Sequence, residues 1–267
     1  MRKVAYLLLC LVTAASATQW GPRTLAPGVN TTGDDYPQTI ASNGDMYKLR
    51  SSLLYLHAYL GGYNWSTTAQ PCNGLGTIGC ATIDPGKREG LIGDDYDVLP
   101  ITSLDGINWT RGSAMSAWNR NPHYPTSVSC AWRGSGKWLY VAYEDGIVWG
   151  DSYPYDSPEV INVGGICLYI AVRFSGDYLI VQGWNGSNLD LYELTGFGSS
   201  WGSRTPISEV NTSDDERCPT QGAIGGYNIL LWSAPGSVGG YDIYYSKGSS
   251  NSEISSTSLG RVKAMFR

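Results

Sequence analysis

Trp20-Gly21-Pro22-Arg23-Thr24-Leu25-Ala26-Pro27-Gly28-Val29-Asn30-Thr31 returns near the far end of the chain as Trp201-Gly202-Ser203-Arg204-Thr205-Pro206-Ile207-Ser208-Glu209-Val210-Asn211-Thr212. Seven of the twelve positions are identical, and the Trp-to-Val spacing is the same in both copies. An aspartate pair follows each one, Asp34-Asp35 and Asp214-Asp215. Self-similarity of this kind marks a chain built from a repeated unit, and units of a few tens of residues mean solenoids or propellers.

Turn chemistry supplies the period. Asn43-Gly44-Asp45, Asp84-Pro85-Gly86-Lys87, Gly134-Ser135-Gly136-Lys137, Ser175-Gly176-Asp177 and Gly225-Gly226 each follow a short apolar run, and most precede another. Gly44 to Gly225 is the same 181-residue step as Trp20 to Trp201. Four intervals across it average about 45 residues, the length of a four-stranded propeller blade. Runs of strand character lie around these turns, at 36–42, 137–144, 167–174, 178–183, 190–194, 227–232 and 241–246, rich in Tyr, Val, Ile, Leu and Trp. The nearest thing to a helix, 50–61, is stopped by Gly61-Gly62. The unit from Val163 to Val210 holds four strands, whereas the last unit holds three and lacks an outer one. The segment around Trp20 would supply it. The expected fold is an all-β, five-bladed propeller closed by pairing of the N-terminal strand with the C-terminal blade, which leaves few sheet edges exposed. The stretch 53–93 is the least regular.

Composition narrows the function. Gly 34 and Tyr 19 against Phe 3 fit a turn-rich β protein, and 15% charged residues with a net charge of -5 offer neither a basic stripe for nucleic acid nor a polybasic membrane patch. Met1-Arg2-Lys3, an apolar run from Val4 to Val12 and Ala15-Ser16-Ala17 have the form of a secretory signal cleaved after Ala17. The expected organisation is a signal peptide over 1–17, a propeller over 18–248 and a Ser-rich linker and tail over 249–267. A secreted or periplasmic monomer without a membrane span follows. Five cysteines lie beyond the cleavage point, and Cys72 and Cys80, close together in a Gly/Asn-rich stretch, are the best candidates for a disulfide. Cys130, Cys167 and Cys218 read as small buried apolar residues. Zinc is not expected, since there is no Cys-x-x-Cys and the histidines are two, His57 and His123.

Trp201, Asn211-Thr212, Asp214-Asp215, Pro219, Gly225-Gly226, Leu230-Leu231 and Gly239-Gly240-Tyr241-Asp242-Ile243-Tyr244 together resemble the WD40-like, or TolB-like, propeller repeats of exported bacterial proteins. Phe174-Ser175-Gly176-Asp177 with Leu189-Asp190-Leu191-Tyr192 is a second copy, and 34–45 a partial third; the resemblance covers about half the chain. It implies a propeller that engages a protein or peptide. Ser103-Leu104-Asp105-Gly106-Ile107-Asn108-Trp109-Thr110 looks like a shortened Asp-box of sialidase-type propellers, a structural motif carried by Ser103, Asp105, Gly106 and Trp109. In such a box the Ser hydroxyl and Asp carboxylate bond backbone N–H groups across a tight hairpin while the Trp packs into the blade.

Three acid pairs, Asp34-Asp35, Asp94-Asp95 and Asp214-Asp215, are expected where loops reach the inner strands, at the channel mouth. Their repetition points to turn structure or ligand contact, because a catalytic residue is needed once. The sequence therefore reads as a binding or scaffold module with no catalytic residues and no required cofactor, recognising a protein, peptide or carbohydrate at that mouth. Calcium held by the acid pairs is a further reading, under which chelation lowers the melting temperature. The competing reading is a five-bladed glycosidase of sialidase or arabinanase type, using an Asp of the first blade with Glu144 or Glu159 as the acid–base pair. Sialidase chemistry lacks its arginine triad here, since Arg23 and Arg204 sit on outer strands. Trp65, Trp118, Trp132, Trp149 and Trp184 offer either stacking surfaces for sugars or blade-to-blade packing. Asn30, Asn64, Asn108, Asn185 and Asn211 stand in Asn-x-Ser/Thr sequons.

Overall fold

The computed structural model describes residues 18–132, 137–173 and 175–250. Residues 1–17, where the signal is expected, residues 133–136, where a turn is expected, Phe174 and the residues beyond 250, where the Ser-rich tail is expected, lie outside the described residues. In chain order the strands are β1 (Thr24–Leu25), β2 (Tyr36–Ile40), β3 (Met46–Arg50), β4 (Leu53–His57), β5 (Tyr59–Gly61), β6 (Asn64–Trp65), β7 (Gln70–Pro71), β8 (Cys80–Ile83), β9 (Glu89–Asp94), β10 (Asp97–Ser103) and β11 (Trp109–Arg111). Then follow β12 (Pro125–Ala131), β13 (Trp138–Tyr143), β14 (Val148–Ser152), β15 (Glu159–Ile161), β16 (Ile170–Val172), β17 (Tyr178–Trp184), β18 (Leu189–Phe197), β19 (Ser200–Trp201), β20 (Thr205–Pro206), β21 (Arg217–Ile224), β22 (Tyr227–Pro235) and β23 (Tyr241–Ser250). A single 3-10 turn, Ser116–Trp118, is the only helical element among the described residues.

These strands form five antiparallel meanders, β2-β3-β4-β7, β8-β9-β10-β11, β12-β13-β14-β15, β16-β17-β18 with β19 and β20, and β21-β22-β23-β1. The first strand of each contacts the first strands of its two neighbours, so β2, β8, β12, β16 and β21 close a ring. The chain is a five-bladed β-propeller. The fifth blade takes its outer strand from the amino end: Thr24 pairs with Tyr245, Leu25 with Tyr244, and Trp20 bridges to Gly248. The landmark turns at 43–45, 84–87, 175–177 and 225–226 each join the first and second strands of one blade. The 50–61 stretch is strand, and the inserted β5–β6 hairpin is what makes 53–93 irregular.

Five apolar clusters fill the five seams between blades. A second strand is covered on both faces by adjacent blades, which is why β13, Trp-Leu-Tyr-Val-Ala-Tyr, is almost wholly buried and shows no alternation. The large aromatics follow the repeat. Trp201 of the fourth blade packs 5.9 Å from Tyr140 in the second strand of the third. Trp20 of the fifth packs 6.5 Å from Tyr178 in the second strand of the fourth. The duplicated tryptophans thus occupy corresponding places.

The repeat continues at the asparagines. Asn211 accepts from the Leu191 N–H and donates to its carbonyl, both at 2.9 Å. Asn30 does the same for Ile243, at 2.6 and 3.1 Å. Each amide side chain extends a β-ladder by one rung at the edge of a third strand.

Candidate functional site

The loops that enter the inner strands and the turns between second and third strands share one face of the ring, here the upper face. Beneath its centre the inner strands surround a cavity of about 290 Å³ whose wall includes Tyr36, Gln38, Cys80, Ser127, Tyr169 and Thr220. No charged side chain lines it among the described residues. The wall is stitched by side chains. Gln38 accepts from the Ala81 N–H at 2.7 Å, Ser129 from the Val172 N–H at 2.9 Å, and Thr220 donates to the Gln38 carbonyl at 2.9 Å. Hydroxyls and amides at these positions replace the ladder bonds that splayed inner strands cannot make to each other. The channel is therefore uncharged, with polar and apolar side chains mixed on its wall. Burial pushes the Cys80 and Cys218 thiols up to about 12, so both stay protonated and unreactive.

At the mouth, a second cavity of about 270 Å³ is lined by Ser52, Thr77, Gly79, Asp94, Asp95, Tyr124 and Pro125, and it shares Gly79 and Pro125 with the channel. Tyr124 is 46% exposed, and its ring stacks on Tyr96 at 4.8 Å between centroids and 17° between planes. The Tyr96 hydroxyl lies 3.5 Å from that of Tyr124. Two turns that frame this cavity hold non-glycine residues in the left-handed region, Ser51 and Ser52 at φ 49° and 60° and Asp95 at φ 48°. Across the mouth, Tyr36 and Tyr241 lie 6.1 Å apart, with the Arg217 guanidinium 4.7 Å over the Tyr241 ring. Burial, then the nearby Asp34 carboxylate, pushes the Tyr36 phenol up to about 12.

The acid pairs divide. Asp35 is fully buried, accepts from Thr31 and is paired with Lys48 at 2.7 Å. Asp34 is exposed and accepts from the Tyr241 N–H at 3.0 Å. Asp215 accepts from the Leu189 N–H at 3.0 Å and pairs with Arg217 at 2.8 Å; Arg217 and the Leu189 N–H hold its carboxyl below the usual range against a desolvation that works the other way. Asp214 is exposed, and its carbonyl accepts from Asn188 at 2.6 Å. The true equivalents across 181 residues are Asp34 with Asp215 and Asp35 with Glu216, which accepts from Thr212 at 2.7 Å as Asp35 does from Thr31 at 2.9 Å. Asp94-Asp95 does not precede an inner strand; it sits in the β9–β10 turn, with Asp94 paired to Arg111. Calcium at Asp34, Asp35, Asp94 or Asp215 would have to displace an N–H or a cation. Among the described residues no three His, Cys, Asp or Glu side chains form a metal-binding group.

Other expectations resolve with them. Cys72 and Cys80 are unpaired, because Cys72 follows the outer strand of the first blade while Cys80 lies on the inner strand of the second, in a different seam. Glu159 lies on the outer strand β15, away from the channel, and Glu144 lies at the upper end of β13. Trp65 and Trp118 are buried in seams, whereas Trp184 is exposed. In the β10–β11 turn, Ser103 Oγ accepts from the Asp105 and Gly106 N–H groups, and Asp105 from those of Ile107 and Asn108 at 2.8 and 2.7 Å. Those backbone donors hold the Asp105 carboxyl well below the usual carboxylate range. Trp109 Nε1 and Tyr47 Oη of the preceding blade both donate to the Gly106 carbonyl, at 3.2 and 2.8 Å. Trp201 and Tyr140 repeat that clamp on Gly198, at 2.8 and 2.9 Å. The tyrosine mouth was not singled out in sequence, although Tyr36-Pro37 and Tyr124-Pro125 at the starts of two inner strands carry the signal.

No protein-family model matches the chain, and no curated protein matches it. Solved structures do. An exo-1,5-α-L-arabinanase from a bovine ruminal metagenomic library superposes with a TM-score of 0.56 at 11% identity, covering 82% of this chain and 94% of that one. A thermostable family-43 glycoside hydrolase gives 0.56 at 9%, covering 88% and 90%. TolB from Acinetobacter baumannii gives 0.45 at 10%, covering 81% of this chain and 55% of TolB, so the chain spans about half of TolB's length. These likenesses are likenesses of fold. They also correct one expectation: the reading of this chain as having no catalytic role does not stand, because glycoside hydrolases are built on the same propeller.

Proposed function

We propose that this protein recognises carbohydrate at the upper mouth of its channel. One observation carries the reading: Tyr124, stacked on Tyr96, lines a cavity that shares Gly79 and Pro125 with an uncharged channel whose wall mixes hydroxyl and amide groups with apolar ones. Sugar rings present C–H faces that pack on tyrosine and hydroxyls that exchange hydrogen bonds with such groups. The propeller fold shared with the arabinanase supports the same class of ligand. A glycan array that includes arabino- and xyloglucan oligosaccharides tests it. Binding that falls at least about fivefold in Tyr124→Ala supports the proposal, since aromatic stacking is worth on the order of 1 kcal/mol or more. Binding untouched by that substitution would refute it.

Glycoside cleavage is the second reading, favoured by Asp95, which lines the mouth cavity beside Tyr96, and by Glu144, whose N–H donates to the Tyr124 carbonyl at 3.0 Å. An acid and a base on one sugar-binding face are what hydrolysis requires. The first-blade acids suit it less, Asp35 being committed to Lys48. Reducing-end release from α-1,5-arabinan, abolished by Asp95→Asn or Glu144→Gln, would establish it. No helix among the described residues is long and apolar enough to cross a membrane. Export rests on 1–17, and material recovered outside the cell should begin at Thr18.

A further inference from the structure

Most acids around the upper mouth are neutralised. Arg111 pairs with Asp94, Arg120 with Asp145 at 3.1 Å, and Arg217 with Asp215 at 2.8 Å. Asp95 has no cationic partner among the described residues, and Glu144 has only His123, at 3.6 Å. Both are exposed. They bracket the tyrosine pair: Asp95 precedes Tyr96 in the β9–β10 turn, and the Glu144 N–H donates to the Tyr124 carbonyl at 3.0 Å. The Tyr96 phenol is raised, first by its bond with Tyr124 and then also by the Asp95 and Glu144 carboxylates, so both charges are felt at that ring.

A tyrosine face with one unpaired carboxylate, Asp95, and a second, Glu144, held only by His123, attracts a cation twice over, through the ring quadrupole and through direct charge. An anion is repelled there, and a neutral ring gains nothing from the charge. The adjoining channel entrance sets the hydroxyl and amide side chains of Tyr36, Gln38, Thr126, Tyr169 and Thr220 among prolines and aliphatic residues, a mixed surface that suits the C–H faces and hydroxyls of a sugar ring better than the uniform aliphatic stem of a lysine. We infer that the sugar bound between Asp95, Glu144 and the Tyr96–Tyr124 pair carries a protonated amine, so that the ligand is an amino-sugar oligosaccharide. This rests on the carbohydrate reading above.

Calorimetry with N-acetylglucosamine oligomers and their deacetylated counterparts tests it, with the amine protonated and at low and high salt. The deacetylated oligomer should bind about tenfold tighter, a preference that shrinks with salt because the charges are exposed. Asp95→Asn with Glu144→Gln should abolish the preference while the melting temperature stays unchanged. His123→Gln, which frees Glu144, should increase it. Equal affinity for both oligomers, or equal competition by oligolysine of matched charge, overturns the inference. If neither oligomer binds while the array returns neutral glycans, the amine falls and the carbohydrate reading survives. If no glycan of any kind binds, both fall.

Discussion

Asp35 and Glu216 hold equivalent places in two blades, and they meet different partners. Asp35 meets a buried Lys48, whereas Glu216, equally buried, meets Arg23 at 3.3 Å and keeps one carboxylate oxygen without a partner. Burial pushes the Glu216 carboxyl up to about 7, against the lowering effect of Thr212 and Arg23, with the Asp190 carboxylate adding to the rise. Between about 4.5 and 7 the folded protein therefore holds a proton that the unfolded chain releases. Stability contributed by this group is complete on the acid side and is lost as pH rises through that window, by on the order of 3 kcal/mol. The buried His57 is lowered by desolvation and acts in the opposite sense below its ordinary value. The difference between wild type and Glu216→Gln is therefore the readout. Thermal melts from pH 5 to 8 should show wild type losing stability relative to Glu216→Gln as pH rises; parallel curves would refute the assignment. Sequence comparison places Asp214-Asp215 opposite Asp34-Asp35, one residue out of register, because a glutamate in an aspartate's place breaks the visual match.

At the scale of elements, the outer-strand turns carry the repeat as firmly as the strands do. Gly106 and Gly198 each offer a carbonyl to a tryptophan three residues on and to a tyrosine of the blade before. Gly106 sits at φ 77°, and a Cβ there would come 2.8 Å from Tyr47 Oη. Gly106→Ala should cost about 1–3 kcal/mol, from left-handed strain and the displaced Tyr47, measured by urea denaturation. A change below about 0.5 kcal/mol would mean that the turn relaxes freely. The residues that hydrogen-bond across this turn, Ser103 and Asp105 with Trp109, could be picked out in sequence because they are contiguous. The corresponding turn in the fourth blade could not, since there only the glycine and tryptophan remain. Leu53, Leu54, Leu56 and Leu60 imitate helical spacing because β4 runs into the inserted hairpin, and periodicity cannot register an insertion.

The whole molecule is held by a strand that arrives first and is needed last. Trp20, Ala26 and Val29 are buried in the two seams flanking the fifth blade, so removal of 18–31 would bare the β23 edge and open both seams. That deletion should elute as aggregate and lose its near-ultraviolet dichroism; a monodisperse product with native dichroism would contradict closure. Blade number and closure were legible because turns and duplicates recur at a fixed interval. The mouth was less so, since Tyr96, Tyr124, Glu144 and Tyr169 come from three blades and meet only once the ring is formed. Acid pairs drew the eye in sequence, and most of them are spent on backbone N–H groups and cations.

Crystals soaked with the tightest oligosaccharide from the array test the central claim most directly. The account predicts ordered sugar density packed on Tyr124 and Tyr96, reaching over the channel entrance toward Tyr36. Density on the lower face or along an outer strand, with the tyrosine mouth empty, would contradict it.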